Sequence, residues 1–344
     1  MGSQQRTRVL IIDDSLVSRE VLKKGLTRDT RLEVVGVAGD PYEAVDKIAD
    51  LEPDVLTLDI NMPRMDGITF LKKLMAQHPM PVVVISSSVE SVFEAMESGA
   101  VDFVAKPEIH TPGDLDEFLL EVIQKIKIAA VALMKYNIAG NPSEDSKTTS
   151  LLPSREVDLI TIGASTGGTD ALLTVLKTLP LTVPGIVIVQ HMPPVFTRMY
   201  AERLNIQCQL QVKEAETGDV VETGKVFIAP GNLHMKVVKE GSRYKLRCYP
   251  GEKVSGHCPS VDVLFQSVAE TVGRKAVGII LTGMGSDGAK GLLAMRKNGA
   301  YTFGQSKDSC VVYGMPMVAY NMGAVVRQLP LDRISTELVR YLQK

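Results

Sequence analysis

The sequence predicts an α/β protein of two units, each organised around a doubly wound parallel sheet. Three observations carry that prediction. At 344 residues the chain has room for about two domains. Through residues 8–132, short apolar runs alternate with stretches whose apolar residues recur every three to four positions. In the second half, apolar runs end directly in turns that carry a serine, a histidine or an aspartate.

Taken in order, strands are expected over 8–12, 32–38, 55–58, 82–85 and 103–105, and helices over 15–26, 41–51, 68–77, 89–96 and 115–132. Five strand–helix units in so short a span imply a parallel sheet with helices on both faces. The stretch 133–153 holds Gly140 and Asn141-Pro142, and 141–150 contains no apolar residue, so it reads as a mobile linker. The expected division is a first unit at 1–130, a linker at 131–153 and a second unit at 154–344. In that second unit, buried strands are expected before the turn at 163–168, over 185–190 and over 276–282, with a helix over 169–178.

Composition narrows the classes. The 45% apolar and 23% charged content is ordinary for a soluble globular protein. No apolar run approaches the ~18 residues of a membrane span, and MGSQQRTRVL at the start has no secretory core. A cytoplasmic protein without membrane insertion is expected. Cys208, Cys248, Cys258 and Cys310 show no metal-type spacing and are expected as free thiols. The net charge of −2 hides a split: residues 1–153 hold 16 basic and 24 acidic side chains, and 154–344 hold 22 and 16. The basic half lacks a basic recognition helix, so nucleic acid is not an expected partner.

In the first unit, polar residues collect at strand ends. Asp13 and Asp14 follow the first strand and Asp59 the third; Ser86 follows the fourth, and Lys106-Pro107 the fifth. Three carboxylates at one sheet edge repel one another unless a cation lies among them, and Mg²⁺ suits such oxygen ligands. A lysine and a hydroxyl beside them can take the charge of a phosphoryl group. This set resembles a two-component receiver domain, which implies a flavodoxin-like fold. The resemblance implies Asp59 as phosphoacceptor, Asp13, Asp14 and Asp59 around Mg²⁺, Ser86 as switch hydroxyl and Lys106 on the phosphoryl oxygens. One departure is the segment 88–98, about one helical turn shorter than in the relatives with which it compares.

In the second unit, Ser165 lies in GASTGG (163–168), a literal G-x-S-x-G. His191 follows 185–190, and Asp287 lies in GMGSDGA (283–289). At one sheet edge these three can activate a hydroxyl as a nucleophile. The chain order Ser, His, Asp and the serine's place after the first strand exclude the α/β-hydrolase fold. A dinucleotide site is disfavoured, because the next strand ends in Gln190-His191-Met192 where a ribose-binding carboxylate belongs. His234 is a weaker candidate for lining the cleft, and His257 reads as structural or exposed.

The blocks GASTGG, QHMPP (190–194), IAPGNLHM (228–235), PSVDVLF (259–265), LTGMGSDGA (281–289) and CVVYGMP (310–316) run through almost all of 154–344. With the receiver ahead of them, they resemble the chemotaxis-type protein-glutamate methylesterase (CheB) family. The resemblance implies Ser165, His191 and Asp287 as catalytic triad and the Met284 backbone N–H as oxyanion donor. It implies hydrolysis of glutamate methyl esters on chemoreceptors with release of methanol, and deamidation of receptor glutamines. Ser165 attacks the ester or activates water to do so, and the esterase reaction needs no cofactor. It further implies a chemotaxis histidine kinase as phosphodonor and a receiver that covers the cleft until phosphorylated. Cys258 departs from the pattern, since relatives carry an arginine before PSVD.

Overall fold

The computed structural model describes residues 6–107, 111–132 and 156–343. The chain divides into two units, Met1–Tyr136 and Asn137–Lys344. The proposed linker lies outside the described residues from 133 onward, as does 154–155.

The first unit alternates strand and helix: β1 (Thr7–Ile12), α1 (Leu16–Leu26), β2 (Leu32–Ala38), α2 (Pro41–Leu51), β3 (Val55–Asp59), α3 (Gly67–Gln77), β4 (Val82–Ser86), α4 (Val89–Glu97), β5 (Asp102–Ala105) and α5 (Pro112–Ala130). All pairings are parallel, in the order β2-β1-β3-β4-β5. The chain reverses direction across the sheet between β1 and β3, so their carboxyl ends open a crevice. Small polar caps start the helices. Ser15, Asp40, Asp66 and Ser88 each accept a backbone N–H at the head of α1, α2, α3 and α4, worth about 1 kcal/mol apiece. Ser15 therefore caps α1 instead of joining it, and β3 and β4 each run one residue further than expected, to Asp59 and Ser86. Helix α4 has nine residues and buries Val92, Phe93, Ala95 and Met96.

The second unit continues β6 (Leu159–Ala164), α6 (Gly168–Leu176), β7 (Gly185–Gln190), α7 (Phe196–Gln207), β8 (Gln211–Glu214), β9 (Lys225–Ile228), β10 (His234–Glu240) and β11 (Arg243–Tyr249). It closes with α8 (Val261–Thr271), β12 (Ala276–Ile280), α9 (Ala289–Lys297), β13 (Tyr301–Gln305), α10 (Met315–Asn321), β14 (Arg327–Leu329) and α11 (Leu331–Leu342). Seven parallel strands pair in the order β14-β13-β12-β6-β7-β9-β8, and β10 and β11 form a separate antiparallel hairpin. From β6 the chain builds outward through β7, then returns to place β12 on the other side of β6. The crevice at that reversal is where ligands bind in open parallel sheets. β6, β7 and β12 are buried along their whole length, as central parallel strands require. Helix α8 packs on α9 and on β10 and drives Phe265, 0% exposed, into the core under the crevice.

Candidate active site and acidic pocket

In the first unit Asp13 and Asp59 are buried at 1% and 4% exposure, while Asp14 is exposed. One carboxylate oxygen from each of the three lies within 4.8 Å of the others. The Lys106 Nζ reaches in from the end of β5, 2.6 Å from Asp59 Oδ2 and 3.1 Å from Asp13 Oδ2. Asp13 also accepts the Ser15 N–H at 2.8 Å and the Ser18 hydroxyl at 2.6 Å. Burial pushes the Asp59 carboxyl above its ordinary range against the opposing pull of Lys106. Burial alone would lower the Lys106 ammonium, but the bonds and charges of Asp59 and Asp13 raise it. All the ligand atoms are hard oxygens and one carboxylate faces solvent, a donor set that fits a divalent ion of the Mg²⁺ type. Ser86 Oγ is buried and accepts the Ser88 N–H at 3.1 Å.

In the second unit the β6–β7 register pairs Ala164 with Gln190, so the next residues, Ser165 and His191, stand side by side. The His191 N–H bonds Ala164 O at 3.2 Å. On the opposite side Ser165 N–H bonds Thr282 O at 3.0 Å, one turn before Asp287. Backbone pairing thus brings Ser165, His191 and Asp287 to one crevice. Their side chains are nearly closed off: Ser165 is 8% exposed and Asp287 1%.

The Asp287 carboxylate accepts four hydrogen bonds. Oδ2 takes His191 Nε2 at 2.8 Å and the Val261 N–H at 2.8 Å; Oδ1 takes the Ser260 hydroxyl at 2.8 Å and the Asp262 N–H at 2.9 Å. Val261 and Asp262 open α8, and Ser260 is its N-cap. The carboxylate therefore sits on a helix N-terminus, using N–H groups that a helix leaves unpaired. Burial alone would raise its pKa. The His191 bond and charge, together with the α8 N–H groups, outweigh it and hold the carboxyl below the ordinary range. With Nε2–H given to Asp287, the tautomer assigned from these bonds leaves the lone pair on Nδ1. That atom is buried and has no hydrogen-bond partner among the described residues. The ring is reversed relative to the usual triad, in which Nδ1 faces the aspartate.

The Met284 turn lies against Ser165. A Cβ on Gly283 would come within 2.7 Å of Ser165 Cβ, so only glycine admits this approach. Gly283 N–H bonds Val312 O, and the N–H groups of Gly314 and Met315 both bond Gly283 O. None of these three bonds uses the Met284 N–H.

His234 and His257 exchange the places expected of them. His234 is 2% exposed, with Nε2 2.8 Å from Glu252 O and its ring tilted against Tyr249. It belongs to the hairpin's packing. His257 stacks face to face on His191, with ring centroids 3.7 Å apart and planes within 8°. Ser260 and the α8 N-terminus also went unassigned in the sequence. The only available signal was Ser260 ahead of an apolar run, which marks a helix cap and nothing more. Cys208, Cys248, Cys258 and Cys310 form no disulfide with one another, and Cys258 is half-buried.

Two parallel-sheet units, one with an acidic strand-end pocket and one with a Ser/His/Asp set in a crevice, define a response regulator with a hydrolase unit. The response regulator receiver domain family matches residues 9–117, and the CheB methylesterase family matches 160–338. The chain belongs to the CheB methylesterase family. It is 54% identical over 345 residues to protein-glutamate methylesterase/protein-glutamine glutaminase 2 of Syntrophomonas wolfei subsp. wolfei, covering 99% of both chains. The protein-glutamate methylesterase/protein-glutamine glutaminase of Escherichia coli O157:H7 is 46% identical over 97% of this chain and 96% of that relative. The crystal structure of the Thermotoga maritima CheB methylesterase catalytic domain superposes with a TM-score of 0.52. It is 36% identical and covers 54% of this chain and 98% of its own.

Proposed function

We propose that this chain is a phosphorylation-activated protein-glutamate methylesterase in which Ser165, His191 and Asp287 carry the reaction. Ser165 Oγ attacks the ester carbonyl of a γ-glutamyl methyl ester and passes its proton to His191 Nδ1. Asp287 stabilises the resulting imidazolium through Nε2–H. The Met284 N–H donates to the oxyanion. Collapse of the tetrahedral intermediate expels methanol, which takes the proton back from His191. Water then adds by the same route and frees the glutamate. A glutamine side chain presents the same carbonyl with ammonia as leaving group, so deamidation uses the same atoms.

The observation that carries this reading is the buried Asp287–His191 pair beside Ser165, with four donors on Asp287 and Nδ1 left open. The substrate is a methylated chemoreceptor and the setting the cytoplasm. No described helix is long and apolar enough to cross a membrane. Asp59 takes phosphate from a chemotaxis histidine kinase, with Lys106 and Ser86 receiving the phosphoryl oxygens. Asp13, Asp14 and Asp59 would hold Mg²⁺, which when bound would offset the charge gathered there.

The test is methanol release from methylated receptor membranes by the full chain treated with phosphodonor. Ser165→Ala is expected to lower the rate by about 10⁴- to 10⁶-fold. A folded Ser165→Ala variant that releases methanol at the wild-type rate overturns the assignment.

A further inference from the structure

Gln190 closes β7 at the point where a dinucleotide-binding strand would present its carboxylate. Its side chain is 4% exposed and turned inward. Nε2 lies 3.0 Å from the Ser165 carbonyl oxygen and 3.3 Å from that of His191, donating to both. One amide thus joins the backbones of the two residues that exchange a proton. Oε1 is buried without a hydrogen-bond partner among the described residues and lies against Gly168, where any Cβ would collide with it. An unpaired buried acceptor is costly, and an apolar side chain of equal length would avoid that cost. What the amide gains in return is its two Nε2 bonds, and both fall on the backbones of Ser165 and His191.

The nucleophile turn needs an external hold. Helix α6 starts on Gly167 at φ 74° with no side-chain cap. The Ser165 peptide is gripped at its N–H by Thr282 O, and the Thr282 N–H is itself fixed by Gln305 Oε1 at 2.7 Å. Gln190 supplies the grip on the other end, the carbonyl, which also takes the Gly168 N–H at 2.7 Å. We infer that Gln190 is a positioning residue of the esterase, setting Ser165 Oγ against His191 Nδ1 by holding both carbonyls. The inference rests on the roles given to Ser165 and His191 above.

The test compares wild type, Gln190→Met and Ser165→Ala as full chains on methylated receptor membranes, with thermal midpoints measured alongside. Gln190→Met keeps the length and removes the donor. Its kcat is expected to fall about 10- to 100-fold, the size of effect that a small misplacement of reacting groups produces. KM should stay within about twofold, since no substrate contact is lost, while the midpoint should fall only by what the loss of two hydrogen bonds explains. Wild-type kcat in Gln190→Met, or a kcat loss matched by a midpoint lowered further than that and a raised KM, overturns the inference. Wild-type activity in Ser165→Ala would instead remove the nucleophile assignment on which this rests.

Discussion

The two sites stand at equivalent places, the carboxyl ends of parallel strands, and hold their charge in opposite ways. In the acidic pocket a buried carboxylate is balanced by one long lysine side chain, and burial leaves Asp59 above its ordinary pKa. In the crevice a more deeply buried carboxylate is balanced by a helix terminus, a hydroxyl and an imidazole, and Asp287 lies below its ordinary pKa. A lysine can follow a charge that changes, whereas backbone N–H groups cannot move. The first arrangement suits a group that gains a phosphoryl and a cation; the second suits a dipole array that must be in place before the reaction begins.

That contrast can be broken at its rigid end with the largest effect. Asp287→Asn keeps the shape but disfavours the tautomer that frees His191 Nδ1, and methanol release is expected to fall about 10⁴-fold. A loss under about tenfold would show that Asp287 does not orient the histidine. At the responsive end, Asp59→Asn is expected to abolish Mg²⁺-dependent phosphoryl labelling and with it all stimulation of the esterase by phosphodonor. Equal stimulation of both proteins would separate the pocket from the crevice. His257→Ala removes the ring stacked on His191 and is expected to lower kcat about tenfold. His257→Phe should retain most of the rate, since aromatic stacking of about 0.5–1.5 kcal/mol survives. A Phe variant as slow as the Ala variant would point away from stacking.

The smallest effect sharpens the comparison by sign. Asp59 titrates above 3.8 in the folded chain, so its ionisation opposes folding as pH rises past that value. Asp287 titrates below 3.8; the stability it contributes is present above that pH and is lost as pH falls through its folded pKa. At pH 7, Asp59→Asn should therefore raise the unfolding midpoint of the first unit and Asp287→Asn should lower that of the second. Calorimetry of the two variants reads both shifts, and shifts of like sign would contradict the contrast.

Much of this was legible because parallel sheets deliver their chemistry at strand ends. Asp13, Asp59, Ser86 and Lys106 each follow or end a short apolar run, and so do Ser165 and His191, so period and position sufficed. His257 and Ser260 were not legible in that way. They sit on a loop after the β10–β11 hairpin, and they reach the crevice only because α8 packs back across β6 and β7. His234 misled for the complementary reason: a motif-bearing loop precedes it, but its ring turns into the hairpin. Strands as short as Gln211–Glu214, Lys225–Ile228 and Arg327–Leu329 carry too few residues for a period to emerge.

The seat of Asp287 on the first turn of α8 bears on how this enzyme tolerates change. Two of the four bonds come from main-chain N–H groups, which any residue but proline supplies equally well. The side chains at 261 and 262 therefore do not enter these two bonds, although the Asp262 carboxylate has bonds of its own from the Ser255 hydroxyl and the Gly291 N–H. Deleting one residue there would act differently, turning the helix by about 100° relative to its cap and aiming the N–H groups away. Across related sequences the signature of this site should be a strictly kept spacing between the capping serine and the helix behind it, with looser limits on which residues fill it.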